Sequence, residues 1–127
     1  MERKKLVVIV DDEEDLLDLF EYNLAREGFA VEAFDRAGPA LAFIRDNRPD
    51  IILCDWMMPE MTGLEFCQQV KSSLPMADIP FMMVTCRQES EARLQALSAG
   101  VTDFVVKPVP MQDLLSRIQT ILHRDLL

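Results

Sequence analysis

Cysteine is scarce in this chain and unpaired in pattern. Cys54, Cys67 and Cys86 are odd in number and form no CxxC pair, which excludes a disulfide framework and reads as reduced thiols. Long hydrophobic runs are missing as well. The basic opening Arg3-Lys4-Lys5 is followed only by Leu6 to Val10, too short for a signal peptide or a membrane span. Positive charge is in deficit: 13 Lys and Arg stand against 22 Asp and Glu, for a net charge of −9. No basic stripe exists to displace counterions, so direct nucleic-acid binding and an anionic membrane surface are both disfavoured. Internal repeats, low-complexity tracts and an interdomain linker are absent. The expectation is one cytoplasmic globular domain spanning residues 1–127, half of them hydrophobic, enough to close a single core.

Apolar, β-branched runs alternate with stretches of helical period. Leu6 to Val10 is a continuous apolar run that stops at acids, as a strand buried on both faces should. Leu16, Leu17, Phe20 and Leu24 recur at helical spacing, and Gly28 suits the position that ends that helix. Phe29 to Phe34 reads as a second strand and Pro39 to Asp46 as a second helix, with Pro39 tolerated in the first turn. Ile51 to Cys54 is a third strand, and a loop through Pro59 and Gly63 leads to a helix carrying Leu64, Cys67 and Val70. Phe81 to Val84 is a fourth strand, Leu94, Leu97 and Val101 place a fourth helix stopped by Gly100, and Phe104 to Val106 is a fifth strand. Met111, Leu114, Leu115, Ile118, Ile121 and Leu122 form a clean helical stripe. The sum is an α/β chain of (βα)5 type: a doubly wound, five-stranded parallel sheet with right-handed crossovers.

Where the strands stop matters most. The first stops at Asp11-Asp12, the third at Asp55, the fourth at Thr85 and the fifth at Lys107. Open α/β sheets bind ligands outside the carboxyl ends of their strands, at the switch point in strand order. Strand two brings no such group, which suits an edge. Two carboxylates ~4 Å apart repel by roughly 4 kcal/mol at an effective dielectric near 20. Either the acids become protonated or a cation holds them. Mg²⁺ fits, because it binds through one or two carboxylates and keeps waters and a phosphate oxygen as its other ligands. Thr85 can donate to a phosphoryl oxygen, Lys107 can neutralise another, and a carboxylate is a competent nucleophile toward phosphorus.

Val10-Asp11-Asp12, Cys54-Asp55-Trp56-Met57-Met58-Pro59-Glu60-Met61-Thr62-Gly63, Thr85 and Asp103-Phe104-Val105-Val106-Lys107-Pro108 together resemble the receiver domain of bacterial two-component response regulators, over about Lys5 to Arg124. The resemblance implies the flavodoxin-like strand order 2-1-3-4-5. It also implies that Asp55 is the phosphoacceptor and that Asp12, Asp55 and the Met57 carbonyl ligate Mg²⁺, with Asp11 acting through bound water. Thr85 would track the phosphoryl group, Lys107 would pair with it, Phe104 would be the switch aromatic, and the bond before Pro108 would be cis. Met57 and Arg87, two residues beyond the acceptor and the threonine, would tune dephosphorylation. The implied partners are a sensor histidine kinase or histidine phosphotransfer protein, an output domain or effector, and a second copy in a phosphorylation-dependent homodimer. Such a protein is a signalling switch that catalyses only its own phosphorylation and dephosphorylation.

Glu13 to Asp15 read as an acidic helix start favoured by the macrodipole, Cys54 as a small buried hydrophobe, and His123 as a solvated cation. A haloacid-dehalogenase-type phosphatase would need Asp-x-Asp after its first strand, but Met57 stands two beyond Asp55, and there is no cap domain. A flavodoxin-like flavin protein would need a hydroxyl- and glycine-rich phosphate loop where this chain has Asp-Asp-Glu-Glu.

Overall fold

The computed structural model describes residues 3–124. Five strands, β1 (Leu6–Val10), β2 (Ala30–Phe34), β3 (Ile51–Cys54), β4 (Phe81–Thr85) and β5 (Asp103–Val106), alternate with α1 (Glu14–Arg26), α2 (Ala37–Asp46), α3 (Gly63–Lys71), α4 (Ser90–Ser98) and α5 (Met111–Arg124). All strand pairs are parallel, in the order β2-β1-β3-β4-β5. The central strands β3 and β4 are buried throughout, whereas the edge strand β2 is only half-buried. That difference is why β1, β3 and β4 read as unbroken apolar runs and β2 carries Glu32.

Alternation along each strand divides the core in two. Val7, Ile9, Leu53, Met82 and Val84 face α1 and α5, meeting Leu17, Phe20, Leu24, Leu114 and Ile118. Val8, Val10, Ile52, Phe81 and Met83 face α2, α3 and α4, meeting Ile44, Phe66, Val70, Ala92 and Ala96. Gly28 and Gly100, at φ +93° and +102°, stand just past the ends of α1 and α4, a conformation that side chains with a Cβ avoid. Helix α2 begins two residues earlier than the sequence suggests, with Pro39 at its third position.

Helix α4 departs from its expected packing. Leu94 and Leu97 point outward, 65% and 48% exposed, while Ala92 and Ala96 are buried against the sheet. The small side chains of Ala92 and Ala96 form the face of α4 that joins the core, and the bulkier leucines lie on the other side. A short 3-10 turn, Leu74–Met76, also precedes β4 without a sequence expectation behind it.

The connection from β3 to α3 has little freedom. Thr62 and Glu65 form a reciprocal capping box, with the Thr62 hydroxyl accepting from the Glu65 amide at 3.1 Å and Glu65 Oε1 accepting from the Thr62 amide at 3.0 Å. The Gly63 amide donates to the Trp56 carbonyl at 2.8 Å. A Cβ on Gly63 would lie 2.1 Å from the Asp55 carbonyl oxygen. At the first turn of a helix alanine normally helps, but here the backbone clash outweighs propensity. Gly63→Ala is expected to lower stability by about 2 kcal/mol, read as a lower urea midpoint with an unchanged m-value.

Candidate functional site

The sheet ladder itself aims the site residues. Beyond the strands, the Asp11 amide donates to the Phe34 carbonyl at 3.0 Å, the Asp55 amide to Val10 at 3.0 Å and the Lys107 amide to Thr85 at 2.8 Å. Asp11, Asp55, Thr85 and Lys107 are thus each the residue at or just past a strand's carboxyl end. The chain leaves β1 for β2 on one side and β3 on the other, so the crevice opens between Asp11 and Asp55.

Lys107 Nζ lies in that crevice, donating to Asp11 Oδ2 at 2.8 Å, to Asp55 Oδ2 at 2.8 Å and to Glu13 Oε1 at 3.3 Å. Asp11 and Asp55 are 2% and 5% exposed and Thr85 is fully buried, so these are desolvated contacts and not surface pairs. Burial works against the Lys107 charge, but the bonds to Asp11 and Asp55 prevail and hold its pKa above the ordinary lysine value. Burial also pushes the Asp11 carboxyl up, and the Lys107 hydrogen bond offsets this only in part. One ammonium is shared between two buried carboxylates, so neither is fully compensated.

Asp12 is exposed at the rim, and one oxygen from each of Asp11, Asp12 and Asp55 can lie within 4.8 Å of the others. Three hard carboxylate oxygens with one ammonium among them fit a small hard cation better than a soft one. The backbone supports both buried acids: the Glu13 amide donates to Asp11 Oδ1 at 2.9 Å and the Met57 amide to Asp55 Oδ1 at 3.1 Å. The Lys107–Pro108 peptide is cis. Thr85 Oγ1 accepts from the Arg87 amide at 3.3 Å. Phe104 is buried at the sheet edge beneath Arg93, whose guanidinium carbon is 5.8 Å from the ring centroid.

Met57 is exposed, and Arg87 lies over the Trp56 ring at 4.6 Å while pairing with Glu89 at 3.2 Å. Cys54, beside Asp55, is buried; burial, then the Asp55 charge, raises its thiol pKa well above the ordinary value, and it donates to the Asp55 carbonyl at 3.1 Å. It is an inert packing residue. His123 is exposed on α5, away from the strand ends. Sequence reasoning missed two features. Glu13 reaches Lys107 across 94 positions, and Arg87 stacks on Trp56. Neither has a local signal, since each depends on which strand ends become neighbours.

Lys107→Met removes the only cation touching the two buried carboxylates among the described residues. It is expected to lower stability at neutral pH by about 3 kcal/mol. Burial raises the Asp11 pKa and Lys107 offsets part of that rise, so without Lys107 the folded Asp11 binds its proton more tightly than the unfolded one, and the deficit should shrink as pH falls from neutral toward about 4. Urea unfolding of wild type and variant across that range checks both the size and the sign.

Residues 7–119 match the family described as the response regulator receiver domain. The chain is 35% identical over 118 residues to the phosphate regulon transcriptional regulatory protein PhoB of Rhizobium meliloti, covering 93% of this chain and 52% of that protein. It is 35% identical over 122 residues to the transcriptional regulatory protein CreB of Escherichia coli, covering 96% and 52%. The chain therefore spans about half the length of these relatives. Among solved structures, a CheY-like receiver domain protein from Methanospirillum hungatei superposes with a TM-score of 0.90 at 31% identity, over 96% of each chain. The chemotaxis protein CheY4 of Vibrio cholerae does so at 0.89 and 30%, over 93% of this chain and 98% of that one.

Proposed function

The chain belongs to the response regulator receiver domain family of two-component systems, and from that premise we propose that Asp55 accepts a phosphoryl group from a histidine phosphodonor with the help of Mg²⁺. The observation that carries this reading is the convergence of Asp11, Asp12 and Asp55 around the Lys107 ammonium. The donor is a sensor histidine kinase or a histidine phosphotransfer protein. An Asp55 carboxylate oxygen attacks phosphorus, the bond from phosphorus to the imidazole nitrogen breaks, and the freed imidazole keeps the electron pair and takes a proton from solvent. Asp11, Asp12, Asp55 and the Met57 carbonyl would hold the Mg²⁺, Asp11 through bound water. The ion supplies charge neutralisation for the transferring group.

The protein's own groups do the rest by position. Lys107 lies 2.8 Å from Asp55 and can move with the new negative charge as it forms. The Thr85 hydroxyl can donate to a phosphoryl oxygen. Met57 cannot orient a hydrolytic water and Arg87 flanks the same opening, so the phosphoryl group is lost slowly. Intact-mass analysis with acetyl phosphate is expected to show one phosphoryl group gained with Mg²⁺, none with chelator, and none in Asp55→Asn. Asp12→Ala should move the Mg²⁺ titration of Trp56 fluorescence to clearly higher Mg²⁺ concentration, as expected when one of few carboxylate ligands is lost.

The output face is assigned to α4, β5 and α5. Phe104 and Thr85 lie on adjacent strands, with Phe104 paired in register with Met83, and the Arg93 guanidinium over the Phe104 ring connects that ring to α4. A change at Thr85 thereby biases the position of α4, with a coupling of about 1–3 kcal/mol. An output domain or effector protein reads this face, and a homodimer can form through it. Arg117 already pairs within the protomer, with Asp103 at 2.9 Å and Asp113 at 3.3 Å, so dimerisation would exchange these pairs. Thr102, where a second acid would suit that interface, accepts from the Phe81 amide at 3.1 Å. Hydrogen exchange with beryllofluoride is expected to change across about Arg87 to Arg117; a change confined to the loops around Asp55 would overturn this surface.

A further inference from the structure

The contact between Arg87 and Trp56 joins the two loops that border the crevice, the one after β3 and the one after β4. Its two sides are held very differently. Trp56 is 5% exposed, belongs to the core cluster under α2, α3 and α4, and has its carbonyl fixed by the Gly63 amide at 2.8 Å. The ring cannot travel. Arg87 has a side chain 36% exposed, and apart from the ring its one ion pair among the described residues is with Glu89, itself 59% exposed. Its backbone amide holds the Thr85 hydroxyl at 3.3 Å.

We propose that Arg87, clipped onto the immobile Trp56 ring and tied by its amide to the Thr85 hydroxyl, is a latch that holds Thr85 back from the phosphoacceptor. The inference rests on the phosphoacceptor reading of Asp55. When Thr85 moves toward a phosphoryl group on Asp55, the Arg87 amide follows the hydroxyl and slides the guanidinium off the ring. The move therefore costs the stack, an interaction that the resting state has and the liganded state lacks. Arg87 is thus a positioning residue that acts through Thr85. A stack at a partly exposed site corresponds to a bias of about two- to fivefold in the equilibrium.

The latch and a simple charge effect predict opposite signs. If Arg87 served mainly to attract the anionic ligand, removing it would weaken binding. If it is a latch, Arg87→Ala binds beryllofluoride about two- to fivefold more tightly with Mg²⁺ present, measured by ¹⁹F NMR titration. Arg87→Lys, which keeps the charge but loses the planar stacking group, should fall between the two. In parallel, acrylamide quenching of Trp56 should rise when wild type binds beryllofluoride, because the guanidinium leaves the ring. In Arg87→Ala quenching should be high with and without ligand. Weaker or unchanged binding in Arg87→Ala, or quenching in wild type that does not respond to the ligand, overturns the latch and leaves Asp55 as the acceptor. Failure of wild type to bind beryllofluoride at all overturns the acceptor reading, and the latch with it.

Discussion

Lys107 between Asp11 and Asp55 joins three segments that are far apart in the chain, and most of the architecture can be traced to the need to bring them there. The ammonium lies 2.8 Å from both carboxylates, 96 and 52 positions away. A parallel sheet in the order β2-β1-β3-β4-β5 puts the carboxyl ends of β1, β3 and β5 around one crevice while covering both faces with helices. The cluster is a poor source of stability. One cation serves two desolvated acids with Asp12 and Glu13 at the rim, and replacing such a group with apolar residues is often neutral or favourable. Its value lies in the negative charge it leaves uncompensated, which fits a small hard cation.

The rest of the molecule separates rigid from yielding parts around that cluster. On one side the Asp55 loop is pinned by the Thr62–Glu65 capping box and by the close approach of Gly63 to the Asp55 carbonyl. Asp55 and Trp56 are therefore fixed. On the other side, α4 rests on the sheet through Ala92 and Ala96 and turns Leu94 and Leu97 outward. Far less apolar area holds it than holds α1 or α5, with their buried Leu17, Phe20 and Leu24 or Leu114 and Ile118. Elements of low local stability are those that move in signalling transitions. Between the two sides stand Thr85, Arg87, Arg93 and Phe104.

The alternation of apolar runs with helical stripes, the glycine stops after α1 and α4, and the polar residue at the end of each of four strands were all legible in the chain. These are local properties: residue period, backbone permissiveness at Gly28 and Gly100, and the apolar demand of a strand buried on both faces. Asp11, Asp12, Asp55, Thr85 and Lys107 could be named as one cluster because strand-end position is itself a sequence property once the sheet is parallel. The facing of α4 was not legible. Leucines at helical spacing look the same whether they turn inward or outward, and only the packing of the helix in the tertiary structure decides that alanines go beneath.

Sequence by itself thus determined the class of fold, the carboxyl-end placement of the acids and the chemistry they can support, because each follows from neighbours along the chain. Tertiary structure alone decided who shares the Lys107 ammonium, that Glu13 joins Asp11 and Asp55 there, and that Arg87 lies on Trp56 and not free in solvent. Those outcomes depend on distances between strand ends and between loops, set by strand spacing, sheet twist and packing against the helices, and no local pattern encodes them.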